Sequence, residues 1–143
     1  MPVNEHGDTA ELAARAIKLL RGQHEAFMTV VDRWPAETDV GQIRHVDGGL
    51  EVKCLDEIFR APPRWVTHEG TLHATEYALR SAREPESEPV WVFYLRGDVI
   101  SATPNAAAVI VTTGHGVTQK TMLYKLAAVL LASGRFLPCA PTR

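Results

Sequence analysis

The chain has little of what would commit it to a known chemistry. Only two cysteines occur among its 143 residues, Cys54 and Cys139. Their wide separation fits no metal or redox spacing, so both are expected to be reduced thiols. No run approaches the roughly 18 consecutive apolar residues of a membrane-spanning helix, and the opening Met-Pro-Val-Asn-Glu-His-Gly has neither a basic nor an apolar signal segment. A cytoplasmic protein with no membrane partner is expected. The formal net charge of −2 gives no attraction for phosphate backbones, so nucleic acid is not an expected partner either. Acidic residues stop at Asp98, after which the chain carries only basic charges, too sparse to form a patch. Internal repeats and a Ser or Cys nucleophile elbow are both lacking.

What is present is a hydrophobic content of 45%, enough for one domain to bury a core of its own. The densest apolar stretch runs from Pro89 to Gly134. Val90 to Leu95 is β-branched and aromatic, Gly97-Asp98 suits a tight turn, and Val99 to Thr103 follows at hairpin distance. A further turn at Pro104-Asn105 leads into a third strand over 107–111. The first and third of these strands do not alternate, which predicts cover on both faces from helices or from a second subunit. Thr118 to Ser133 then reads as a helix, with Thr118 as N-cap and Gly134 at the C′ position.

Upstream, Asp8 to about Trp34 has the three- and four-residue recurrence of a long helix, interrupted by Gly22 and stopped by Pro35. Such a helix either kinks at Gly22 or projects one end toward a partner. Gln42 to Val46 and Leu50 to Cys54 flank Asp47-Gly48-Gly49 as a second hairpin. Asp56 to Arg60 reads as one helical turn before Pro62-Pro63, and Arg64 to Thr67 as an edge strand. Residues 71–83 are read as a helix because His73, Glu76, Arg80 and Arg83 then share one side, with Glu76 four residues before Arg80. The whole is expected to be a single α+β domain over 1–143: an antiparallel sheet of about five strands with a long N-terminal, a middle and a C-terminal helix packed on it. Residues 1–7 are expected to be flexible and 136–143 a loose tail.

Three groups of residues carry possible chemistry. Gly114-His115-Gly116-Val117-Thr118-Gln119-Lys120-Thr121 follows a strand and opens a helix as a phosphate loop does, but Gln119 stands where the Walker pattern needs glycine. Weak anion binding through Gly114, Gly116, Thr118, Lys120 and Thr121 is the reading that survives, with His115 as the sole acid–base candidate. His73 and Glu76 are the only metal candidates, and His68, five residues from His73 with Gly70 between, breaks the zincin spacing. No metal or cofactor is expected. Last, Tyr124, Ala128 and Leu131 fall within about 60° of one another opposite the helix's core residues, forming a second apolar stripe. A non-enzymatic binding or assembly module, self-associating as a homodimer through that stripe, is the favoured reading. Its partners would be a second copy, another protein or a small anionic ligand. The alternative is a small-molecule enzyme or ligand-binding protein using the Gly114 to Thr121 loop and His115.

Overall fold

The computed structural model describes residues 5–33, 38–105, 109–112 and 117–136. A 29-residue helix, α1 (Glu5–Arg33), is followed by eight strands, β1 (Gly41–Val46), β2 (Gly49–Cys54), β3 (Glu57–Ala61), β4 (Pro63–His68), β5 (Thr71–Ser81), β6 (Trp91–Arg96), β7 (Val99–Ser101) and β8 (Val109–Thr112), and by α2 (Val117–Ala132). All pairings are antiparallel. The sheet order is β1-β2-β3-β5-β6-β7-β8, with β4 attached to β5 alone.

The turns explain this meander. Asp47 (φ 51°) and Gly48 (φ 77°) both take positive φ, as a primed two-residue turn requires, and Glu69 with Gly70 (φ 79°) repeats the device between β4 and β5. Between β2 and β3 the same turn is made by Leu55 (φ 50°) and Asp56 (φ 65°). Asp56 tolerates positive φ, but Leu55 gives no sign of it, since a large apolar side chain adopts that conformation only at a cost. The expected helical turn at Asp56 to Arg60 is therefore replaced by strand β3. The C-terminal helix ends as read, with Gly134 at φ 81° and the Ser133 hydroxyl donating to the Leu130 carbonyl at 2.7 Å.

The middle helix expected over 71–83 does not exist. Thr71–Ser81 form β5, the longest described strand, whose Thr75, Tyr77 and Leu79 are fully buried on one side. The two charges whose spacing most suggested a helix face separate neighbours across the sheet instead. Glu76 lies opposite Arg64 of β4, at 3.9 Å, and Arg80 lies opposite Arg60 of β3. Cross-strand pairing can thus mimic the i, i+4 spacing of a helix surface.

Both helices lie on one face of the sheet rather than one on each. Phe27, Met28 and Val31 of α1 and Met122, Leu123, Leu126 and Leu130 of α2 bury into a single cluster with Ile43, Leu50, Val52, Phe59, Tyr77, Phe93 and Leu95. Because α2 touches β1 and β2 at one end of the strand order and β8 at the other, the sheet is curled around the helix pair. On β6, Phe93 and Leu95 point inward, while Val92 and Tyr94 are half-buried on the outer face. One covered face and one partly wet face therefore replace the two covered faces expected.

Helix α1 begins at Glu5, earlier than the expected Asp8, and its helical structure continues through Gly22. Space around Gly22 is open to beyond 4 Å, so Gly22→Ala is expected to stabilise the protein by about 0.5–1 kcal/mol in urea denaturation. Gly41→Ala should act oppositely, because its methyl group would collide with the Lys53 backbone carbonyl across the β1–β2 pair. A loss of about 2 kcal/mol or more in the same assay is expected.

Candidate functional site

Gly114, His115 and Gly116 lie outside the described residues, so the anion loop is visible only from its helical end. Thr118 enters the first turn of α2, Lys120 is exposed and Thr121 is half-buried. Gln119, the residue that breaks the Walker pattern, is fully buried, and its side-chain amide donates to the Val30 carbonyl at 3.2 Å. It joins the start of α2 to the last turns of α1.

His73 and Glu76 do not share the side that a helix would have given them. Glu76 faces Arg64 and, on β6, Tyr94. His73 is the extra residue of a bulge, since Val66 pairs with Ala74 and Thr67 with Leu72. The rings of His68 and His73 sit 5.3 Å apart, and His73 Nε2 is shielded from solvent without a hydrogen-bond partner. Burial, followed by the charges of Arg96 and His68, keeps the His73 imidazole below its ordinary range. Among the described residues, no group of three or more His, Cys, Asp or Glu is placed to hold a metal ion.

The surfaces that stand out are helical. On α2, Tyr124 is 54% and Leu131 65% exposed, with exposed Ala128 between them, directly opposite Met122, Leu123, Leu126 and Leu130. Helix α1 repeats the pattern: Leu12 is 65% and Leu19 64% exposed, with half-buried Ala16 between them. Each stripe places a large apolar residue, then alanine four positions on, then leucine after three more. The α1 stripe stays uncovered because, among the described residues, burial on that helix begins at Leu20 and most of the preceding turns lie beyond the core. The charges at the N-terminal ends of the two stripes differ in sign. Lys120 and Lys125 border Tyr124 on a helix with no acidic residue, whereas Asp8 and Glu11 precede Leu12.

A polar link that sequence reading missed fixes α1 to the sheet. His24 is only 6% exposed; its Nε2–H donates to the Gly48 carbonyl at 2.8 Å, so Nδ1 holds the lone pair and accepts from the Tyr77 hydroxyl at 2.6 Å. The one available signal was its position, four residues after Leu20 and three before Phe27, on the buried side of the helix.

Burial holds the His24 pKa below its ordinary value of 6.5, and the same cause acts on His73. A depressed imidazole leaves the unfolded chain binding more protons than the native one, so this stability is present above about pH 6.5 and is lost as pH falls below it. The urea midpoint is therefore expected to be lower at pH 5.5 than at pH 7.5, and His24→Gln should flatten that slope. Glu51, whose carboxyl is held below 4.5 chiefly by its hydrogen bond to Arg44, acts only at lower pH and does not enter this window. Comparison with known proteins gives no match to a family model, to a curated protein or to a solved structure.

Proposed function

We propose that the protein is a non-enzymatic assembly module that self-associates by packing α2 of one copy against the first half of α1 of another. The observation that supports this reading is the pair of exposed stripes with equal spacing and charge of opposite sign at their N-terminal ends. Homotypic contact between two parallel α2 helices would set Lys120 and Lys125 against their own copies, and an antiparallel one would offer them no acid on the facing helix. Parallel packing of α2 on α1 instead seats Tyr124 beside Leu12 and Leu131 beside Leu19, bringing Asp8 and Glu11 to the lysines. An antiparallel arrangement would set Lys120 beside Gln23 and Lys125 beside Lys18, so charge favours the parallel register.

Each copy carries both stripes, so a two-fold dimer makes the contact twice. Burying what is exposed of a leucine is worth about 1–2 kcal/mol, and the alanine in the middle of each stripe lets the backbones approach. The expected result is a modest dimer rather than an obligate one. Work in the cytoplasm fits the free, buried Cys54, whose thiol burial pushes up to about 11 and keeps unreactive. No described helix is long and apolar enough to cross a membrane.

In analytical ultracentrifugation at tens of micromolar, wild type should sediment as a dimer, and Leu131→Glu and Leu19→Glu should each give a folded monomer. Lys120→Glu with Lys125→Glu should weaken the dimer, and adding Asp8→Lys with Glu11→Lys should restore it. A monomeric wild type sinks the assembly reading. A dimer broken by Leu131→Glu but indifferent to Leu19→Glu sinks only the pairing with α1.

A further inference from the structure

The outer face of the sheet carries a row of charges in register across four strands. Arg44 of β1 lies opposite Glu51 of β2, Glu51 opposite Arg60 of β3, and Arg60 opposite Arg80 of β5. Leu50 and Val52 on either side of Glu51 point into the core, which puts this row on the face away from the helices. Glu51 is 7% exposed and is held by Arg44 Nη2 and, at 3.2 Å, by Arg60 Nε. Its carboxylate fixes two guanidinium groups while leaving the terminal nitrogens of Arg60 outside that contact.

Arg60 against Arg80 breaks the rule that the rest of the sheet obeys. Arg44 meets Glu51 and Arg64 meets Glu76, whereas like charges directly opposite on adjacent strands are destabilising. The side chain of Arg80 makes no ion pair or hydrogen bond among the described residues. Nor do the nearby Glu84, Glu86 and Glu88 supply a described ion pair. Beside the two arginines lies a cleft of about 370 Å³ lined by Arg60, Pro62, Ala78, Arg80, Ser81 and Pro85. Its walls are apolar and its charge comes from two planar, fork-shaped donors suited to oxyanions. Three arginines and one glutamate leave the row with two positive charges in excess, matching a phosphate dianion. A local rule broken without internal compensation is the mark of a site whose missing partner comes from outside.

We propose that Arg60 and Arg80 form a binding site for a phosphate monoester carried on a small apolar body, the phosphate bridging the two guanidinium groups and the apolar part resting on Pro62, Ala78 and Pro85. The site lies on the sheet, away from the helical stripes, and does not depend on self-association.

Amide chemical shifts followed during titration at constant ionic strength test it, with phenyl phosphate, inorganic phosphate, benzoate and benzyl alcohol as probes. Phenyl phosphate should move the amides of Ala78 to Ala82 saturably and bind several-fold more tightly than inorganic phosphate or benzoate, with benzyl alcohol inert. Arg80→Gln should weaken phenyl phosphate about tenfold or more, while Arg83→Gln, at an exposed arginine outside the cleft, should leave it unchanged. Without anion, Arg80→Gln should also raise the melting temperature by relieving the opposed charges; phenyl phosphate should raise that of wild type and not that of the variant. Unchanged affinity in Arg80→Gln, or shifts spread evenly over the surface, overturns the site. Benzoate binding as tightly as phenyl phosphate overturns the assignment to phosphate.

Discussion

Burial of Tyr77 is the constraint on which the arrangement of helix and sheet depends. Its ring is fully buried in the middle of β5, stacked on Phe93 at 5.1 Å and met edge-on by Phe27 at 5.7 Å. A phenol so placed must find a hydrogen-bond partner, because an unsatisfied buried hydroxyl costs about 1–3 kcal/mol. His24 supplies it, and the other ring nitrogen reaches the Gly48 carbonyl in the β1–β2 turn. One side chain of α1 therefore binds the centre of the sheet and its margin together. That fixes both the azimuth of the helix and the point along it where contact begins. The Gln119 bond to Val30 then sets the start of α2 against the other end of the same helix.

A sheet that curls around two helices concentrates its apolar residues on the concave side and leaves its convex side to charge. Alternation along β2 makes the division visible, with Leu50, Val52 and Cys54 inward and Glu51 outward. The buried Glu51 is tolerable because two guanidinium groups cover it, so its low exposure comes from arginine stems rather than from the core. Charge at the outer face is thus as ordered in register as the core is in packing. The opposition of Arg60 and Arg80 stands out against that order.

The outer elements were legible because each carried its own punctuation. Gly97-Asp98, Asp47-Gly48 and Gly134 name their turns and cap, and β6 with its β-branched and aromatic run names its strand. In the middle of the chain only the edge strand β4, expected over Arg64 to Thr67, was legible. Leu55 and Asp56 turn without glycine at either position, and β5 carries charges that face residues on β3 and β4, so spacing within the segment could not reveal its pairing. The second apolar stripe of α2 was readable in full, since Tyr124, Ala128 and Leu131 follow from helical geometry alone. Its counterpart on α1 went unread, although the length of that helix already allowed one end to project toward a partner.

The length of α1 is what makes that counterpart significant. At about 1.5 Å per residue its 29 residues span roughly 43 Å, while full burial begins only at Leu20. A free helix of 12 to 15 residues is marginal in water, so the first half persists by continuing from a docked second half, with Glu11 and Arg15 four residues apart in the favourable order. Those aids explain why the segment is helical. They do not explain why it carries Leu12 and Leu19 on one line, because a purely solvated extension gains nothing from large apolar side chains in register. A surface that is rigid, apolar and beyond the reach of its own core is the kind that another helix can cover, and α2 presents one of matching period.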